Sequence, residues 1–442
     1  MFVFEERYKS HHSASGRLKN VYKKEVNKEE YFLEFLNTEA TNERALYVHV
    51  PYCTKLCSFC QFPQGQQSTK KDYHNIVIDH IKAQRDFKYM EKPFQSVYFG
   101  GGTPTSLEPY QMEEILKCIH DSYRLTEDCE ISVETSVSEL SPQMIDTLLK
   151  NKVNRLSIGV QTFDDSLRKL LGRRGTGQAA KDKLKELKTA GFKNLNIDLI
   201  YNNPGETLET LQKDIDSIIA AEIAGFSFYS LMLIDNSPLS KKITADEVAC
   251  MKNIDNEYKQ FMLILDSLKP HGYEMFEFTK LIRNKMDLYK YITVRQNAGD
   301  CIGVGYAAGG NINGYTYYNM FDYMPISQKV PFSAMGSVLD TTYYQLEKFV
   351  GNLQKTSINV AEYNSILNLP ITDILAPSIE KFVDAGYCLY ENGQLSTTEL
   401  GSFWGNNIID HFLKEILASL PQPEQTSKHP GAMMGSHKMD KK

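Results

Sequence analysis

Between residues 46 and 232, six short apolar runs alternate with amphipathic stretches, and this alternation restricts the possible folds more than any other property of the chain. The runs 46–50, 96–99, 130–134, 155–160, 195–200 and 226–232 have the length and apolar character of buried strands. Between them, residues 109–123 place Met112, Ile115, Leu116 and Ile119 on one helical face. Ser141 followed by Pro142 opens another helix, and Thr207 caps a further one that carries Leu208, Leu211, Ile215 and Ile218 inward. Strand-helix alternation of this kind implies a parallel sheet with right-handed crossovers. The fold class is therefore α/β, and six units predict a partial (β/α)6 barrel open on one side.

The first strand runs directly into Cys53, Cys57 and Cys60, three cysteines within eight residues. Three thiolates on one loop can hold three irons of a [4Fe-4S] cube and leave the fourth iron open to a ligand. Structural zinc also takes thiolates, but it normally wants four ligands, and no second closely spaced pair occurs in this sequence. Cys118, Cys129, Cys250, Cys301 and Cys388 are single and scattered, and read as small core residues. A chain of 442 residues can bury an ample core without disulfide staples, which points to a reducing compartment.

Composition narrows the class further. Acidic residues outnumber basic ones, 55 to 49, and no basic stripe recurs with interleaved aromatics, so no nucleic-acid partner is expected. No apolar run approaches the length of a membrane span, and the opening MFVFEERYKSHH lacks the apolar core and cleavage site of a secretion signal. A cytoplasmic enzyme without a membrane partner is the resulting expectation. The chain divides into an N-terminal arm (1–40), the barrel (41–235), a mixed segment rich in Tyr and Phe (236–342), a C-terminal helical module (343–418) and a disordered tail (419–442). Within the module, Asn392-Gly393 marks a tight turn between short strands, which gives it a winged-helix-like character.

Ligands of parallel α/β folds gather at the carboxyl ends of the strands. The second strand ends in Gly100-Gly101-Gly102-Thr103-Pro104, where a ligand could approach the backbone and use its amides and carbonyls; a tight turn explains the triplet about as well. Glu134 ends the third strand, Gln161 follows the fourth, Asp198 lies in the fifth beside Ile200, and Arg173 comes one short helix after Gln161. Glu134 and Arg173 could simply pair with each other. Several polar groups at one apolar mouth nevertheless imply a polar ligand that satisfies them jointly.

These residues carry a resemblance. The run Tyr47 to Cys53, the C-x-x-x-C-x-x-C spacing, Gly100 to Pro104, Glu134, Gly159 to Phe163, Leu171-Gly172-Arg173 and Asp198-Leu199-Ile200 resemble the radical S-adenosylmethionine (SAM) enzymes of the oxygen-independent coproporphyrinogen III oxidase family, over about residues 46–417. Three departures stand out. Phe62 replaces the oxidase's further cysteine, Arg174-Gly175 replace the end of its L-G-R-x-H run, and the segment from Asp300 to Gly310, with Gly314, Tyr315 and Asn319, is similar instead to the anaerobic haem-opening methyltransferases, the anaerobilin synthases.

The resemblance implies a [4Fe-4S] cluster on Cys53, Cys57 and Cys60 whose open iron chelates SAM. Gly101, Gly102 and Thr103 would meet its methionine part, and Glu134, Gln161, Arg173 and Asp198 the remainder. One-electron reduction would then release methionine and a 5'-deoxyadenosyl radical. A second SAM molecule would lie near Tyr47, Ile200 and the loop of Gly305, Ala307, Gly309 and Gly310, though these glycines suit an ordinary strand-bulge-turn equally. Tyr47 and His49 would belong to the catalytic group, His49 near the cluster without ligating it. The implied reaction moves a methyl-derived carbon to a meso position of haem, opens the ring, releases iron and leaves a methylated linear tetrapyrrole. Haem would be the substrate and a low-potential donor such as flavodoxin the electron source. Tyr229, Tyr291 and Tyr306 are candidate cleft residues, Arg283 and Arg295 candidate partners of haem carboxylates, and His11, His12, His429, Met433, Met434 and His437 are of haem-ligating type. The same residues would serve the oxidase, or a haem carrier that leaves haem intact.

Overall fold

The computed structural model describes residues 4–10, 16, 18, 23–25, 29–60, 62, 65, 67–319 and 335–420. All six expected strands are present: β1 (Arg44–Val50), β2 (Phe94–Gly101), β3 (Leu125–Ser136), β4 (Arg155–Gln161), β5 (Asn194–Tyr201) and β6 (Gly225–Ser230). They lie side by side in chain order, each parallel to the next. The sixth ends at Ser230, two residues before the apolar run does, because Leu231 turns away after donating its amide to Tyr201 O.

The segment beyond residue 235 does not form a separate layer; it extends the sheet on both flanks. The hairpin β7 (Tyr273–Glu277) and β8 (Lys280–Arg283) adds antiparallel to β6. On the other side β9 (Asp300–Val304) pairs parallel with β1, setting Gly303 opposite Tyr47. The parallel run therefore has seven strands where the sequence pattern suggested six. Beyond β9 the sheet continues antiparallel through β10 (Gly309–Ile312), β11 (Tyr315–Tyr318) and β12 (Met335–Leu339).

Helices cover the outer face as their periodicity dictates. Helix Pro109–Ser122 buries Met112, Ile115, Leu116 and Ile119. Ser141 and Thr207 cap as expected, each side-chain oxygen accepting a backbone amide at 3.1 Å, from Met144 and Thr210. Leu208 departs from the expectation. It is 43% exposed, because the buried face of helix Leu208–Ala221 begins one turn later with Leu211, Ile215 and Ile218. Cys250 also departs, being exposed, whereas Cys118, Cys129, Cys301 and Cys388 are buried.

The C-terminal module packs helices Thr341–Gln354, Ile371–Asp384 and Gly405–Ser419 against a small sheet of β13 (Ser357–Asn359), β14 (Cys388–Glu391) and β15 (Gln394–Thr397). Its hairpin turns through Asn392 and Gly393 at φ of 52° and 82°, the left-handed pair that a two-residue turn of matching twist demands. Phe4 of the arm packs between Phe382, Tyr387 and Trp404, with ring centroids 5.5–5.7 Å away. His11, His12 and the tail residues His429, Met433, Met434 and His437 lie outside the described residues. No described helix is long and apolar enough to cross a membrane.

Candidate active site

The inner face of β1 to β6 builds the site in layers. At the base, Arg155 of β4 and Lys280 of β8 both grip Asp287. The arginine makes a bidentate pair at 2.9 and 3.1 Å, and the lysine an ion pair at 3.1 Å. Lys280 also donates to Asn196 Oδ1 of β5 at 2.8 Å. All three charged side chains are 0–1% exposed. Burial alone would raise the Asp287 carboxyl, but its two cations outweigh that and hold it well below the usual range. This triad joins β4, β5 and the β7–β8 hairpin where the parallel sheet stops. Sequence reasoning missed it, although an arginine at an inward position of an apolar strand was a usable signal.

Above the triad lies a layer of tyrosines. Tyr291 stacks on Tyr98 with centroids 4.4 Å apart, and both lie beside Tyr47, at 6.0 and 6.3 Å. Two of these phenols have built-in partners: Tyr98 donates to Glu134 Oε1 at 2.7 Å, and Tyr47 OH lies 2.9 Å from His49 Nδ1. Burial lowers the His49 imidazole to about 4, so it is neutral at physiological pH. Glu134 also accepts the Gly101 amide at 3.2 Å. Burial pushes its carboxyl up to about 7 despite the Tyr98 hydrogen bond, and Asp198 adds to the rise. Asp198 is likewise raised by burial, opposed by Lys280, Arg155 and Arg173. Glu134 and Asp198 keep partial accessible area, and Tyr229 is 45% exposed, although protein encloses all three.

At the strand ends the glycine loop and the cysteine loop meet. The amides of Gly102 and Thr103 donate to Val50 O and Tyr52 O at 2.8 Å. With Gly101 N on Glu134, all three amides are used inside the protein, and Thr103 O accepts the Ser106 amide at 2.8 Å. Gly102 is irreplaceable on steric grounds, since a Cβ there would stand 2.6 Å from Tyr52 O. Thr103 Oγ1 lies 3.4 Å from Cys53 Sγ. Arg173 Nη1 donates to Cys57 Sγ at 3.0 Å, and its Nη2 to Gly159 O. Glu134 and Arg173 thus take separate partners. Among the described residues no three His, Cys, Asp or Glu side chains converge around one metal ion. A cube takes one thiolate per iron and needs no such convergence, so three half-buried thiols with a guanidinium already on one sulfur fit an iron–sulfur cluster better than a single ion.

A model of the radical SAM superfamily matches residues 47–218, the part of the chain that carries every element just described from β1 to β5. Residues 47–218 carry a radical SAM domain. Such a domain implies a [4Fe-4S] cluster and SAM as cofactors. The heme chaperone HemW of Lactococcus lactis is 26% identical over 83% of this chain and 96% of its own. The anaerobilin synthase of Escherichia coli O157:H7 is 25% identical over 88% of each. The oxygen-independent coproporphyrinogen III oxidase of Escherichia coli K12 reaches 31%, but over only 41% of this chain and 40% of its own. The solved structure of an Escherichia coli coproporphyrinogen III oxidase superposes with a TM-score of 0.75 at 21% identity, covering 89% and 96% of the two chains, and so shares the fold. This radical SAM protein stands among the relatives of that oxidase and of the heme chaperones.

The remaining site residues fall around this centre. Gly305 has φ of 93°, and its amide donates to His80 Nδ1 at 3.1 Å. The adjoining Tyr306 amide donates to Tyr73 OH, which in turn donates to His49 O at 2.7 Å. The loop is thereby locked onto the end of β1. Ala307 donates its amide to Asn319 O, and Gly309 and Gly310 pair with Tyr318 and Tyr317 in the β10–β11 hairpin. Gly310 is required by its neighbour, because a Cβ there would come within 2.4 Å of the Tyr317 ring. Ile200 packs with Leu171, Leu231, Leu239 and Met251 at the far side of the mouth. Arg295 lies inside, bonded to Asn311, with Tyr291 and Cys301 nearby. Arg283 is instead occupied by Glu222 at the outer edge of the hairpin.

Proposed function

We propose that this radical SAM protein acts on haem, opening the macrocycle without oxygen to give a methylated linear tetrapyrrole with iron release. The observation that carries the reading is the position of β9: it brings Gly303 opposite Tyr47 and docks Gly305 and Tyr306 on the end of β1, beside the first SAM site. In this reading two groups share the mouth, a second SAM against the Gly305–Gly310 region and a flat apolar ring over the tyrosine layer. Met232, Leu56 and Phe62 support the latter, being 47%, 60% and 69% exposed, the first just after β6 and the others in and just after the cysteine loop. Phe62 stands where the oxidase has a further cysteine, which argues against propionate decarboxylation.

The cluster, once bound, would supply the electron that cleaves SAM reductively. The chain's own residues do the rest of the positioning. Carbonyls of the Gly101–Thr103 turn can accept an ammonium group, Arg173 can meet an anionic oxygen, and Glu134 and Asp198 can hold hydroxyls. Neutral His49 can hold the Tyr47 hydroxyl in place through their 2.9 Å contact. An external low-potential donor such as flavodoxin is the proposed electron source, in the cytoplasm.

The match to the heme chaperone, over 83% of this chain, gives a second reading, in which haem is bound and passed on unchanged. Anaerobic incubation of reconstituted protein with SAM, reductant and either haem or coproporphyrinogen, followed by mass spectrometry, separates these outcomes. A methylated linear tetrapyrrole supports the proposal, intact haem supports the carrier, and loss of two carbon dioxide units from coproporphyrinogen would favour the oxidase.

A further inference from the structure

We propose that Arg168, a buried arginine outside any ligand-contacting position, is the positioning residue that fixes Gln161 and Arg173 for SAM. The inference rests on the reading of this mouth as a SAM site. Arg168 lies on the short helix Asp165–Leu170 and is 2% exposed. Its Nη1 donates to Val160 O at 3.0 Å and Thr162 O at 2.9 Å, the carbonyls on either side of Gln161. Its Nη2 donates to Arg174 O at 2.7 Å and its Nε to Gly175 O at 3.0 Å, the two carbonyls that follow Arg173. One planar fork thus staples the end of β4 to the loop after the helix.

The arrangement has a cost, the desolvation of a cation. A guanidinium does not lose its charge in proteins, and these four hydrogen bonds are all to neutral carbonyls. The cost is matched by a strained backbone. Gln161 has φ of 72°, a left-handed conformation that non-glycine residues hold only where the surroundings over-determine it. Gripping both flanking carbonyls is such a constraint. The other end of the staple sets the start of the Arg173 side chain, whose Nη1 and Nη2 reach Cys57 Sγ and Gly159 O while its buried Nε has no hydrogen-bond partner. A Cβ on Gly159 would lie 3.0 Å from Gln161 Nε2 and 3.4 Å from Arg173 Nη2, so both side chains converge on one spot of β4. Moving either backbone segment by an ångström would separate them.

The test compares SAM affinity, by equilibrium dialysis against the reconstituted protein, with thermal stability. Arg168→Met should weaken SAM binding roughly tenfold, the lower end of what loss of a supporting residue costs at a cofactor site. Arg168→Lys should fall between, and methylguanidinium should restore affinity to Arg168→Ala by refilling the fork. Arg44→Met is the control. Arg44 is fully buried at the opposite end of the barrel, on Tyr89 O, and its loss should lower the melting temperature without changing SAM affinity. Wild-type affinity in Arg168→Met, or a loss that methylguanidinium leaves untouched and Arg44→Met reproduces, would overturn the assignment. Wild-type protein that binds no SAM would instead sink the cofactor reading beneath it.

Discussion

Replacing Asp287 by Asn tests whether a buried charge cluster closes the barrel. Asp287 is the shared anion of Arg155 and Lys280, all three 0–1% exposed. Removing one member of a buried ion pair typically costs about 3–5 kcal/mol, because the partner is left charged and desolvated. Two partners might suggest twice that. Lys280, however, has an escape: burial already lowers its pKa, and without Asp287 it can give up its proton, whereas Arg155 cannot. The expected loss is therefore that of one broken pair, about 3–5 kcal/mol, or roughly 6–10 °C in melting temperature at about 2 °C per kcal/mol. The assay is thermal unfolding of the apo protein at pH 7, followed by circular dichroism. Asp287 is depressed in the folded state, so its contribution is complete above the unfolded value near 3.8 and fades only as pH falls through that acid range. The gap between wild type and variant should hold from pH 5 to 8. Combining Asp287→Asn with Lys280→Met should cost less than the sum of the single changes by more than about 1 kcal/mol. An Asp287→Asn protein within about 1 kcal/mol of wild type, or an additive double-mutant cycle, would refute the idea that these charges hold β4, β5 and the hairpin together.

Glu134 makes an opposite pH statement. Its folded-state carboxyl is raised to about 7 from 4.5, so the stability it lends is complete below the lower value and is lost as pH climbs through the upper one. The apo wild type should lose melting temperature relative to Glu134→Gln between pH 5 and 7.5; parallel melting curves would contradict this. In the β10–β11 hairpin, Gly310→Ala should cost about 1–3 kcal/mol by forcing a methyl into Tyr317, while Gly309→Ala, whose nearest neighbour is an ordinary 3.6 Å away, should be nearly neutral. Equal melting temperatures for the two variants would show that the hairpin is not packed as described.

The radical SAM centre was legible because its parts are local or periodic. Each of the six strands was marked by a run of apolar residues, and the helix starts at Ser141 and Thr207 by capping chemistry that acts over three residues. Cys53, Cys57 and Cys60 share one loop, so their grouping is visible in the sequence. Glu134, Gln161 and Asp198 stand at or near strand ends, where a parallel sheet collects ligands. Leu208 misled because helical periodicity gives a repeat but not where the buried face begins, and Cys250 because a lone cysteine carries no signal of burial.

What the chain's order of residues settled, then, was the parallel core, since runs of neighbouring residues suffice to write it. What only folding decided was everything joined across long separations. Asp287 meets Arg155 132 residues away, and Gly305 meets His80 225 residues away. The flanks β8 and β9 enter the sheet from a segment with no alternation to announce them. Such partners are chosen by which buried charge or unpaired strand edge is left to satisfy once the core has formed, and that choice exists only in three dimensions.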